Sequence, residues 1–183
     1  MKILGISCSP RVKGNTETMV QASLAKAQED GAEIELVTLA GKTVSPCDGC
    51  YSCRNNGECH INDDMQDIYP KLSEADGVIF GTPVYFWDVT AQAKALIDRT
   101  LAVSMKRDLR NKAAGAVIAQ GRNGSTGALA TLHNFFIAHR MVIIGNAVGF
   151  GSDKGTVKGD ELGMRGAEAL GRAMVRYIES GKL

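Results

Sequence analysis

The chain has 183 residues, 44% apolar and 22% charged, the size and make-up of one globular domain with a proper core. A net charge of +1 gives no electrostatic reason to expect nucleic acid or an anionic membrane as a partner. No apolar run approaches the roughly 20 residues of a membrane helix, and Met1-Lys2-Ile3-Leu4-Gly5-Ile6 carries no signal-peptide pattern, so a cytoplasmic location is expected.

Lys2–Ser7 reads as a short buried strand, apolar throughout rather than alternating. A loop over Cys8–Asn15 leads into a helix from about Thr16 to Asp30, stopped by Gly31, with Met19, Val20, Leu24 and Ala27 on one face. Glu33–Leu39 is a second strand, and a cysteine-rich loop follows it. Asp63 or Asp64 is placed to cap a helix reaching Ala75, which Pro70 should kink. Gly77–Gly81 is a third strand, followed by the aromatic run Pro83–Trp87. Thr90 caps the next helix, whose Ala93, Leu96, Ile97 and Leu101 fall at helical spacing. The basic stretch Met105–Asn111 reads as a solvated connection. Ala113–Gln120 is a fourth strand, Gly121–Gly127 a polar loop, and a helix from about Ala128 to Arg140 leads to a fifth strand over Met141–Val148. A glycine-rich connection over Gly149–Gly159 precedes a last helix capped by Asp160. Five strands alternating with helices predict one α/β domain, a flavodoxin-like doubly wound parallel sheet in the order 2-1-3-4-5. Ligands of such sheets sit outside the carboxyl ends of the strands, so the special loops after strands 1 to 4 are expected on one rim.

The loop after the first strand has the chemistry of a phosphate cradle. Ser9, Thr16 and Thr18 supply hydroxyls, Arg11 a charged fork, and Asn15-Thr16 open a helix whose first N–H groups lack partners. No lysine of a P-loop follows Gly14, and there is no G-x-G-x-x-G, so a terminal monophosphate suits it better than a di- or triphosphate. Glu17 in the first turn would repel such a dianion and is expected to point outward. Pro83, Val84, Tyr85, Phe86 and Trp87 offer the apolar and aromatic surface a flavin ring needs, with Gly121 and Asn123 as donors to its other edge.

Four of the five cysteines, Cys47, Cys50, Cys53 and Cys59, fall within thirteen residues at gaps of two, two and five. Closely spaced thiolates suit a cubane iron–sulfur cluster, whose metal corners each take one. A single zinc ion is more often held by two separated C-x2-C knuckles, and adjacent loop cysteines pair poorly as disulfides. The spacing favours the cluster, with zinc and redox thiols as alternatives. Asp48, Arg54 and Glu58 flank the ligands as candidates for tuning them. His60 is a spare ligand, His133 and His139 are core or surface residues, and Cys8 is a small buried packer.

Taken together, Gly5-Ile-Ser-Cys-Ser-Pro-Arg11, Gly14-Asn-Thr16, the run Cys47–Cys59, Asp63-Asp-Met65, Gly81-Thr-Pro-Val-Tyr85 and Gln92–Arg99 resemble the iron–sulfur flavoprotein family, within the NAD(P)H-dependent flavin and quinone reductases. The resemblance implies FMN held by the loops after strands 1, 3 and 4, and a [4Fe-4S] cluster on Cys47, Cys50, Cys53 and Cys59. It implies a homodimer or homotetramer and ferredoxin as electron donor. The function expected is therefore an electron relay. The rivals are an NAD(P)H-dependent FMN or quinone reductase with structural or redox-sensing cysteines, and a zinc-stabilised binding module. Two residues depart from the family: Cys8 replaces a glycine and is expected to crowd the phosphate loop, and Trp87 replaces a smaller residue and is placed to cover the flavin face.

Overall fold

Five apolar segments pair in parallel in the order β2-β1-β3-β4-β5 in the computed structural model, which describes residues 1–181. The strands are β1 (Lys2–Ser7), β2 (Glu33–Thr38), β3 (Gly77–Pro83), β4 (Ala113–Gln120) and β5 (Val142–Phe150). Ile6 lies opposite Val37 on one side and Phe80 on the other, and Phe80 in turn faces Ala116. Every residue of β4 is buried, as expected of a strand covered on both faces.

The helices are α1 (Asn15–Glu29), α2 (Cys53–Asn56), α3 (Met65–Glu74), α4 (Ala91–Arg99), α5 (Leu101–Lys106), α6 (Ser125–Ala138) and α7 (Glu161–Glu179), with a 3₁₀ turn at Thr156–Gly159. Alternate strand residues feed two cores. Leu4, Ile6, Phe80 and Ile118 meet α3, α4 and α6, while Ile3, Ile79 and Val117 meet α1 and α7. A β-carbon at Gly171 of α7 would lie 2.0 Å from the Ser23 carbonyl oxygen of α1, so only glycine permits that close helix crossing. The Ser23 hydroxyl, in the same contact, donates to the Ala167 carbonyl at 2.7 Å.

Two caps stand where their sequence places them. Thr90 accepts the Ala93 N–H at 3.1 Å, and Asp160 accepts the Gly163 N–H at 3.1 Å. Asp63 also caps α3 as expected, its carboxylate accepting the Met65 N–H at 3.0 Å. Asp64 accepts the Thr43 N–H instead, while the same Asp63 carboxylate that caps α3 also pairs with an arginine. α3 runs through Pro70, which is exposed. Three short elements go beyond the sequence reading: α2 inside the cysteine loop, α5 in the approach to the basic connection, and the 3₁₀ turn in the glycine-rich one. No helix among the described residues is long and apolar enough to cross a membrane.

Candidate functional site

At the carboxyl ends of the strands an open cleft of about 280 Å³ is lined by Ser9, Arg11, Asn15, Thr16, Pro83, Val84, Tyr85, Gly121 and the loop after β5. The strand order reverses between β1 and β3, and the cleft lies beside that reversal. Ser9 is buried and its hydroxyl accepts the Arg11 N–H at 3.1 Å, shaping the turn into α1. No side chain caps the first turn of α1. Thr16 is 1% exposed, and its hydroxyl has no partner among the described residues. A buried, unpartnered hydroxyl beside an uncapped helix start fits the phosphate of a nucleotide.

Several expectations need correction here. Thr18 donates its hydroxyl to the Gly14 carbonyl at 3.1 Å within its own helix and does not line the cleft. Asn15 lines the cleft, but its amide is committed elsewhere. It donates to the Gly151 and Asp153 carbonyls, each at 2.8 Å, and accepts the Val157 N–H, stapling the loop after β5 to α1. Glu17 does not point into solvent: it is 6% exposed and accepts the Lys13 N–H at 2.9 Å. Cys8 leaves the loop uncrowded because it packs into the core beside Leu4 and Ile6, where burial pushes its thiol pKa well up. The loop after β5 adds Gly151, Ser152 and the cation Lys154 to the cleft. Nothing local in the sequence of this glycine-rich connection aims it at α1.

The aromatic run divides in two. Pro83, Val84 and Tyr85 line the cleft, whereas Phe86 and Trp87 form the tip of a tight turn closed by Tyr85 and Asp88, whose N–H groups donate to each other's carbonyls at 2.9 and 3.2 Å. Phe86 and Trp87 both take left-handed backbone, φ 46° and 71°, as a two-residue hairpin of this hand requires. The geometry turns Phe86 out to 99% exposure and leaves Trp87 off the cleft lining, so Trp87 does not cover the cleft as expected. A β-carbon at Gly127 would lie 2.2 Å from the Trp87 carbonyl oxygen, so the first turn of α6 packs directly on this turn. Asn123 stands outside the cleft lining.

A second cavity, about 310 Å³, gathers Cys47, Cys50, Cys53 and Cys59 with Tyr51, Asp98, Arg99, Leu101 and Ala102. All four thiols are free; Cys47 and Cys50 are exposed, Cys59 half-buried and Cys53 buried. Burial raises the Cys53 thiol pKa, and the nearby Cys59, Cys47 and Cys50 add to the shift. Asp48 holds the loop from within. One carboxylate oxygen accepts the Cys50 N–H at 3.1 Å and the other meets the His60 ring nitrogen at 2.7 Å. Asp48, Cys50 and His60 offer ligand atoms within 4.8 Å of one another. Arg54 instead lies over the Tyr51 ring, 3.8 Å from its centre, and the Glu58 N–H bonds the Asn56 side chain. Four free thiols opening on one cavity are a donor set that fits a metal–sulfur group.

This cavity shares no lining residue with the cleft: Thr90 sets the start of α4 against the Cys8 carbonyl after β1, whereas Arg99, in the cavity lining, ends that helix. The run after β2 passes down to the far end of α4, where Arg99 holds it. The Arg99 side chain is fully buried and forms a forked pair with Asp63, at 2.7 and 3.0 Å. Burial pushes the Asp63 carboxyl up, but the Arg99 fork and the Ser45 and Met65 N–H groups outweigh it and bring its pKa to about 2. The sequence did carry a signal for Arg99: it falls three residues after Leu96, in the stripe that faces the core. A cation in an apolar stripe marks a buried pair.

Residues 1–155 match the family described as NADPH-dependent FMN reductase. An iron–sulfur flavoprotein of Methanocaldococcus jannaschii is 40% identical over 98% of both chains. One from Methanosarcina thermophila is 36% identical over 98% of this chain and 96% of its own. Among solved structures, RosB with a bound 8-demethyl-8-formylriboflavin-5′-phosphate intermediate superposes with a TM-score of 0.79 at 18% identity, over 100% of this chain and 82% of RosB. A flavodoxin from the domain Archaea superposes at 0.66 and 13% identity, over 98% of this chain and 99% of its own. Likeness at that level of identity shows the fold.

Proposed function

Because the chain belongs to the iron–sulfur flavoproteins of the NADPH-dependent FMN reductase family, with a flavoprotein's redox role, we propose that it is an electron-transfer protein holding FMN in the cleft and a [4Fe-4S] cluster on Cys47, Cys50, Cys53 and Cys59. It relays electrons between a carrier such as ferredoxin and a further acceptor. The observation that carries this reading is the convergence of four free thiols on one cavity, separate from the cleft.

When bound, the flavin exchanges one or two electrons and the cluster one at a time. The chain's own part is to hold, orient and dry these centres. The Thr16 hydroxyl, the first turn of α1 and the Arg11 guanidinium bind the phosphate, with Lys154 adding charge from across the cleft. Val84, Tyr85 and Gly121 line the part of the cleft left for the ring. Asp48 fixes the Cys50 turn, and the buried Cys53 keeps water from one corner of the thiol cavity. Free thiols of this kind suit a reducing cytoplasm. A homodimer or homotetramer would bring the cleft of one subunit within reach of the cysteine cavity of another.

Anaerobic iron and acid-labile sulfide analysis, with visible and EPR spectra, tests the reading. About four of each per chain alongside flavin bands is expected; zinc, or intact thiols without metal, overturns it. A second reading, direct reduction by NAD(P)H, is favoured by the open cleft beside the outturned Phe86 and Trp87. Stopped-flow mixing separates the two: rapid flavin reduction by NADH or NADPH supports the second, reduction by ferredoxin alone the first.

A further inference from the structure

We propose that Arg99 is the positioning residue of the cysteine cavity: its one buried guanidinium closes the loop on both sides of the four thiols and keeps its Nε–H for a sulfur acceptor. The closure stands on geometry alone; the sulfur contact rests on the metal–sulfur reading of the cavity.

Arg99 ends α4, and its two terminal nitrogens are shared between the two flanks of the cysteine run. Nη1 donates to the Ser45 carbonyl at 2.9 Å, two residues before Cys47. Nη2 donates to the Ile61 carbonyl at 3.2 Å, two residues after Cys59. Each nitrogen also donates to one oxygen of Asp63, and Asp63 accepts the Ser45 N–H at 2.8 Å, so flank, cation and carboxylate close a ring of bonds. The Tyr69 hydroxyl donates to the Arg99 carbonyl at 3.0 Å and fixes the end of the helix from behind. Only a planar fork satisfies four acceptors in this arrangement; a lysine ammonium in the same place is a point charge with three donors.

That leaves Nε. It is buried and has no partner among the described residues, although Arg99 lines the cavity with the four thiols. Buried N–H groups are seldom left unpartnered. Of the acceptors lining this cavity, the Asp48 and Asp98 carboxylates are taken by Cys50, His60 and Lys94, whereas the four sulfurs are free thiols. Cys59 lines the same cavity as Arg99. A fixed positive charge and an N–H donor beside thiolate-bound sulfur stabilise the more reduced, more negative state, raising its reduction potential.

Two variants test this: Arg99→Lys, which keeps the charge and loses the fork, and the double variant Arg99→Met with Asp63→Leu, which removes both charges so that neither is stranded. In the metal-free protein, amide exchange over residues 45–63 is expected to quicken about tenfold in both, with β1 and β4 unchanged. Unchanged exchange in the loop overturns the closure. Equal quickening in loop and strands also overturns it, because Arg99 would then serve the whole fold. After anaerobic loading with iron and sulfide, iron retention is expected to fall about tenfold in Arg99→Lys. In the double variant the potential of any retained cluster, by EPR-monitored titration, should shift negative; a potential equal to the parent's overturns the Nε contact. If the parent chain itself takes up no iron, the electron-relay reading and the sulfur contact fail together, and the exchange comparison still decides the closure.

Discussion

At the cleft, Ser9, Thr16, Val84 and Gly121 arrive on backbone that the sheet itself places, because successive parallel strands deliver their loops to one edge. At the cysteine cavity, a loop with only the four-residue α2 for regular structure is gathered by a buried arginine, a carboxylate and a surface Asp48–His60 contact. The first site is a property of topology and the second of a few side chains. A topological site should survive the loss of any one residue with its shape intact. A clasped site should fail as a unit.

The largest effect expected is at Cys53. Cys53→Ala should abolish metal uptake after anaerobic reconstitution while flavin affinity in the cleft changes less than about twofold. A parallel loss of flavin binding, read by fluorescence titration, would break the separation of the two sites. Next comes acid. The Asp63 pKa, about 2, lies below its unfolded value of 3.8. Its contribution, on the order of 2 kcal/mol, is therefore complete above about pH 4 and lost as pH falls through 2. Urea unfolding between pH 5 and 2 should show the parent losing that increment, while Asp63→Asn starts lower and varies less. Thr16→Val should weaken flavin binding about tenfold by removing a bond to a charged phosphate. It should leave the unfolding midpoint unchanged or slightly higher, since the hydroxyl has no partner in the chain. Phe86→Ser, at the exposed tip, should move stability by less than about 0.5 kcal/mol in the same unfolding assay.

The strands were legible because their signal is local. Lys2–Ser7 and Ala113–Gln120 are unbroken apolar runs bounded by polar residues, and both fall at their predicted limits. Thr90 and Asp160 were legible as caps for the same reason, since each meets an amide three residues on. The half of the cleft formed by Ser9, Arg11, Thr16 and Pro83–Tyr85 followed from the strand order. What the sequence withheld was pairing across distance: Asn15 with the loop 136 residues on, and Arg99 with Asp63 36 residues back. Asp63-Asp64 was legible as a helix start because capping is a local rule, but nothing local showed that the capping carboxylate also takes a buried guanidinium. The turn at Phe86 and Trp87 was misjudged because composition favours an aromatic lining, whereas left-handed backbone at both positions turns the rings outward.

That turn carries the chain's single tryptophan, beside the cleft residue Tyr85 and packed against Gly127 in the first turn of α6. Its emission is thus a built-in gauge of the cleft. A yellow ligand settling there would take up the indole's excited-state energy, so dimming on titration counts filled sites without any attached dye. Because the ring faces water from the outset, unfolding should shift the colour of its glow little, and the same signal would be a poor thermometer for the fold.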